Sequence, residues 1–191
     1  MTSRALITAP AAEPVSLAEA KLHLRVEHAA DDALITALIQ AARERAEAIT
    51  RRALISQTWE VYLDEWPSEG FIRLPMPPLQ SVASVKYTDT DGVEHTFSDW
   101  AADVASLPGR VVLNHGAAWP SVTLRPVNPI AVRFVAGYGD AAAVPASIKA
   151  AMLLMIGHLY ENREESVAGV SIAALPMGAE ALLAPFRLVE F

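Results

Sequence analysis

The sequence predicts an α+β fold: a helical layer made from the N- and C-terminal segments, with an antiparallel β-module inserted between them. Three observations carry this. Apolar residues recur at helical spacing up to about residue 53, alternation of period two runs from Ser56 to Tyr138, and a helical pattern returns after Pro145. The expected parts are an N-terminal helical part over 1–55, the inserted β-module over 56–138, a central helix over 139–165 that completes the helical domain, and a C-terminal tail with a short helix over 166–191.

The first helix is announced by "PVSLAEAKLHLRV", where Ser16 and Glu19 have the spacing of a capping box. Leu17, Ala20 and Leu24 give it one apolar face, and it is expected to stop near Glu27. A second helix begins at Asp31 or Asp32, whose carboxylates suit the positive end of the helix dipole. Ile35, Ile39, Ala42, Ala46, Ile49 and Ala53 form its apolar face, and Gln40, Arg43, Glu44, Glu47 and Arg51 collect on the other side.

From Ser56, Trp59, Val61 and Leu63 alternate with Glu60, Tyr62 and Asp64, the pattern of a half-buried strand. "FIRL", "SVASVKY", "GRVVLN", "SVTLR" and "IAVRFVA" follow, separated by turn signals such as "DTDG" and "LPGR". The 13 prolines lie mostly in this region, which favours short edge strands. In "GYGD", Gly137 and Gly139 supply the backbone angles for a corner from strand to helix. The third helix carries Ile148, Met152, Met155 and Leu159 on one stripe, with further apolar residues nearly all round.

Composition narrows the function. A chain of 191 residues with 52% hydrophobic residues can build a real core, and its longest apolar run, Ala150 to Tyr160, is about half the ~20 residues of a membrane span. The N-terminus shows no export signal, so synthesis in the cytoplasm is the expectation. Without cysteine there is no disulfide framework and no Cys-based zinc site. A net charge of −7 with only 15 basic residues argues against a protein that wraps nucleic acid by neutralising phosphates.

Reactive chemistry finds little support. His23, His28, His95, His115 and His158 never fall at the spacing of a helical metal pair, and no cofactor or metal is expected. "GYGD" lacks the Lys and Ser/Thr of a phosphate loop. The glutamates of "YENREE" read as a solvated helix end, and the Trp66-Pro67 and Trp119-Pro120 corners as plugs for the open ends of the β-module. The β-module can bring His95 or His115 to Asp89, Asp91 or Asp103, which leaves two rival readings open: a carboxylate-dependent hydrolase and a monomeric ligand-binding module.

The order and spacing of several blocks resemble one family. "PVSLAEAKLHLRV", "DDALITALIQAARERAEAITRRAL", "QTWEVYLDEWP", "LPMPPLQSVASVKYTDTDG", "PGRVVL", "AAWP" and "VRFVAGYGDAAAVPASIKAAMLLMIGHLYENRE" look like the head-tail connectors, or adaptors, of long-tailed phages and phage-derived gene transfer agents. The likeness spans nearly the whole chain, with one departure at Leu159, where the family pattern has Trp. It implies a non-enzymatic structural protein at the head-tail junction of a virion or gene transfer agent particle. Such a protein forms a ring, a dodecamer, between the portal protein and a tail-side stopper or tail-terminator protein, and extends the channel through which DNA passes without tight binding. No membrane is involved.

On that resemblance, three sets of residues are expected to work. Ile35, Ile39, Ala42, Ala46, Ile49, Met152 and Met155 would form subunit interfaces. Glu161, Glu164 and Glu165 would line the DNA channel as an acidic collar. Leu182, Leu183, Phe186, Leu188 and Phe191 would grip the portal from a tail that is mobile in the free protein.

Overall fold

The computed structural model describes residues 2–162 and 177–188, and these divide into two compact units. One unit comprises Met1–Ala11 and Ser56–Tyr138, and the other Ala12–Ile55 and Gly139–Phe191.

The first unit is all β. Its larger sheet contains β1 (Thr2–Thr8), β2 (Gln57–Leu63), β4 (Leu79–Thr88), β5 (Glu94–Phe97) and β8 (Ile130–Ala136), in the order β1-β2-β8-β4-β5, with every neighbouring pair antiparallel. The smaller sheet orders β3 (Phe71–Arg73), β7 (Arg110–Leu113) and β6 (Trp100–Asp103) as β3-β7-β6. Strand β8 is central, and its sequence IAVRFVA explains why: Ile130, Val132, Phe134 and Ala136 are buried while Arg133 points the other way and is exposed. Across the sheet, Val61 and Val85 both pair with Val132, so one face is a continuous apolar layer. On the opposite face Glu60 is paired with Arg133 at 2.7 Å and accepts the Tyr62 hydroxyl at 2.7 Å. Gly109 leads into β7 where the backbone passes hard against Leu79: a Cβ there would lie 2.4 Å from the Leu79 Cβ.

Strand β1 departs from the expected division, which gave residues 1–55 to the helical part. Ser3 pairs with Tyr62 and Leu6 with Trp59, so the N-terminal segment belongs to the sheet. Its partner strand lies some fifty residues downstream, and local sequence carries no sign of that pairing.

The second unit is helical, with α1 (Leu17–Leu24), α2 (Asp32–Thr50), α3 (Ala146–Glu161) and α4 (Met177–Leu183), followed by a 3-10 turn over Ala184–Phe186. The Ser16–Glu19 capping box forms as expected: the Glu19 N–H donates to Ser16 Oγ at 3.2 Å and the Ser16 N–H donates to Glu19 Oε2 at 2.8 Å. Helix α1 ends one turn sooner than expected, with Arg25 in the left-handed region at φ 59°. Asp31 stands at the N-cap of α2 without capping it, because its carboxylate accepts the Tyr160 hydroxyl from α3 instead. Ile35, Ile39, Ala42, Ala46, Ile148, Ala151, Met152, Met155 and Ile156 are buried where α2 packs on α3. Where the chain passes from one unit to the other, Gly137 and Gly139 have φ of 127° and 122°, angles that L side chains rarely adopt.

Candidate interaction surfaces

The residues expected at subunit interfaces lie inside the subunit. Ile35, Ile39, Ala42, Ala46, Met152 and Met155 are enclosed by the helical unit itself, and Ile49 is half-buried. This corrects the reading of the alanines as a face open to a neighbour. Their small size lets α2 and α3 approach within one chain. The outer face of α2 has a second alanine row, Ala33, Ala37, Ala41 and Ala48, and all four are exposed.

The polar side of α2 also differs from expectation. Arg43 and Glu47 are each only 7% exposed. The Arg43 Nε donates to Glu13 at 2.8 Å and its Nη1 to Glu47 at 3.0 Å, while the other Glu47 oxygen accepts the Leu54 N–H at 2.9 Å. Burial by itself weakens the arginine's charge. Its hydrogen bond to Glu13 and the fields of both carboxylates outweigh that and raise its pKa. In sequence this Arg-x-x-x-Glu pair is indistinguishable from a solvated i, i+4 pair. Only the return of the chain at Glu13 and Leu54 covers it.

Helix α3, expected to be apolar all round and central, keeps part of that surface open. Leu154 and Leu159 are 38% and 40% exposed. Glu161 ends the helix and is exposed; Glu164 and Glu165 lie outside the described residues, so of the three glutamates expected to form a collar only Glu161 has a described position.

The described part of the C-terminal segment folds on its own helical unit, which differs from the expectation of a free arm. Leu183 is fully buried, the Leu188 N–H donates to the Thr50 carbonyl at 3.0 Å, and Arg52 Nε donates to the Phe186 carbonyl at 2.6 Å. Leu182, Phe186 and Leu188 are half-buried, and Phe191 lies outside the described residues. Helix α4 packs chiefly on α3, because α3 offers it the apolar stripe that a free tail would leave in water.

The β-unit joins the two Trp-Pro corners. Trp66 and Trp119 stack with centroids 4.8 Å apart and planes within 7°, flanked by Phe97 and Tyr87, and the Trp119 Nε1 donates to the Glu69 carbonyl at 3.0 Å. Of the juxtapositions considered for catalysis, His95 does meet Asp89, at 2.7 Å, with Tyr87 stacked on the imidazole. That carboxylate also accepts the Val93 and Asp91 N–H groups of its own turn. The His95 bond first, and these amides after it, hold the Asp89 pKa below the usual range. Asp103 is likewise held low, by the Ser106 hydroxyl and then by Arg110. These carboxylates tie down turns and strand ends. Among the described residues, no group of three His, Asp or Glu side chains is arranged to hold a metal ion.

Comparison with known proteins fits a scaffold whose working parts are faces and edges. The family model described as "Phage gp6-like head-tail connector protein" matches residues 14–99. Among solved structures, a chain from the neck of an empty gene transfer agent particle, computed with C6 symmetry, superposes with a TM-score of 0.82 at 27% identity, covering 99% of this chain and 97% of that one. A chain of the native gene transfer agent virion gives a TM-score of 0.81 at 27% identity, with 98% and 96% covered. One from the native neck, computed with C12 symmetry, gives 0.79 at 27% identity, with 99% and 97% covered. No curated protein matches significantly. The fold and these likenesses define the class first: a structural protein of phage-like particles. Within that class, residues 14–99 match the head-tail connector family model, and nearly the whole chain is similar to chains of gene transfer agent necks.

Proposed function

We propose that this protein is a structural connector at the head-tail junction of a phage or gene transfer agent particle, where twelve copies form a ring between the portal and a tail-side stopper or tail terminator. The likeness of almost the entire chain, in both units, to a chain of a gene transfer agent neck carries the reading. The symmetries of those neck structures favour a ring, and twelvefold is the finer form proposed here.

The physical properties of the chain agree with that role. A ring around moving DNA gains from weak adhesion, since each Lys or Arg paired to a phosphate acts as a brake, and this chain has a net charge of −7. The proposed subunit contacts shift to surfaces that the single chain leaves open: the outer alanine row of α2 and the exposed Leu154 and Leu159 of α3. Glu161, with Glu164 and Glu165, remains the proposed acidic collar, and the C-terminal segment through Phe191 the proposed portal contact. In the hydrolase and ligand-binding readings the β-module carboxylates would have to converge on a substrate, whereas Asp89, Asp103 and Glu60 are each bound to a neighbouring cation, hydroxyl or imidazole.

Particle assembly tests the reading. Particles made without this protein are expected to be filled heads lacking tails, and complementation with a tagged chain to place density in a ring below the portal. Tailed, infectious or gene-transferring particles in its absence would overturn it.

A further inference from the structure

The larger sheet ends in two unlike edges, β1 on one side and β5 on the other. We propose that β1 of one copy pairs with β5 of the next, so that the sheets of neighbouring copies join edge to edge; this rests on the ring reading above and adds a contact that the reading does not contain.

Strand β1 is seven residues long, and an edge strand carries a row of backbone donors and acceptors that can pair with a further strand. Protection against such pairing is slight. Arg4 is its one charge, no proline occurs before Pro10, and the register shift between Leu6 and Thr8 comes only at its end. Leu6 and Ile7 are 45% and 42% exposed, a large apolar area for an edge. The regular stretch Thr2–Leu6 is long enough to pair along the whole of β5, Glu94–Phe97.

The faces also match. Register carries Arg4 through Val61, Val132 and Val85 to Phe97, so Arg4 and Leu6 lie on the same apolar face as Phe97 and His95. Side chains alternate strictly along a strand, so a joint that keeps this face continuous sets Arg4 and Leu6 beside His95 and Phe97 and leaves Ala5 with Thr96 on the polar face. Charge does not oppose the joint: β1 brings Arg4 without any acid, and the β4–β5 hairpin carries Asp89, Asp91 and Glu94 against Lys86, with Glu94 paired to Lys86 and Asp89 to His95. An interface between two different edges is heterologous, the kind that closes into a ring when its rotation permits, and similar chains occur in assemblies computed with C6 and C12 symmetry. Those assemblies point to a second copy as the occupant.

Because the chain has no cysteine, Ala5→Cys and Thr96→Cys give unambiguous cross-links. An equimolar mixture of the two single variants is oxidised near neutral pH, and native mass spectrometry reports rings in the same samples. Chance collision yields as much mixed disulfide as the two homodimers together. Directed pairing is expected to yield predominantly the mixed species, and Leu6→Lys, with unchanged circular dichroism, to weaken association about tenfold. A statistical mixture overturns the edge pairing, and so does undiminished association of a folded Leu6→Lys variant. If rings form with statistical cross-links, the edge pairing falls and the connector reading stands. Tailed particles made without the protein would remove the connector reading itself.

Discussion

Arg43 lies between Glu13 and Glu47, 2.8 and 3.0 Å from their oxygens, and ties the segment before α1 to the middle of α2. A buried cation is a point of high stakes, because removing it leaves the buried Glu47 carboxylate without its positive partner, although Glu13 keeps part of its hydration. Arg43→Met is expected to cost about 3–5 kcal/mol. Denaturant titration of the full chain checks this, and adding Glu13→Gln and Glu47→Gln to Arg43→Met should recover part of the loss.

Glu19 carries the clearest acid dependence. The Ser16 backbone N–H first, then the Ser16 hydroxyl and Lys149, lower its pKa from 4.5 to about 2. A carboxylate depressed in the folded state stabilises above its unfolded pKa and loses that contribution as pH falls through the folded value. The Glu19 contribution is therefore present above 4.5 and lost toward 2. The side chain is 47% exposed, so solvent screens the effect and it should be modest. Thermal melts of wild type and Glu19→Gln are expected to converge at low pH and to separate above it, and Ser16→Ala should cost about 1 kcal/mol near neutral pH.

At Gly109, space alone sets the outcome. A Cβ at this position meets the Leu79 Cβ at 2.4 Å and its Cδ2 at 2.7 Å. Gly109→Ala is expected to destabilise by about 1–3 kcal/mol. Leu79→Ala keeps the nearest atom and should not rescue the variant; unfolding midpoints of the single and double variants decide.

The two alanine rows of α2 should behave differently. Ala46 is fully buried, so Ala46→Leu overpacks the helical unit and is expected to lower its stability by about 1–3 kcal/mol. Ala37 is exposed, so Ala37→Leu should leave the melting temperature of the isolated chain within a few degrees of wild type and reduce its incorporation into particles. Equal incorporation of both folded variants would take the outer row off the list of contacts.

The collar has its own test. Charge reversal of Glu161, Glu164 and Glu165 to Lys is expected to retain DNA in particles in a salt-sensitive way, read by the fraction of DNA released at low and high ionic strength. Unchanged release at low salt would remove these residues from the channel.

The sequence by itself determined the elements whose signals are local. The Ser16–Glu19 box, the apolar face of α2, the alternation of IAVRFVA and the two glycines at the strand-to-helix turn each depend on residues within a few turns or a strand of one another, and each is found where the spacing puts it. The order of many such blocks also sufficed to point to the connector family. Tertiary structure decided which faces are covered. A helix with an alanine row on each side does not reveal which row meets α3, and Arg43 and Glu47 read as solvated until Glu13 and Leu54 return to enclose them. Strand β1 became a strand through pairing with β2, and Leu183 became core through docking of α4 on α3. The physical reason is the same in each case: periodicity fixes which residues share a face, and the free energy of removing a face from water is settled only by what the distant chain brings against it.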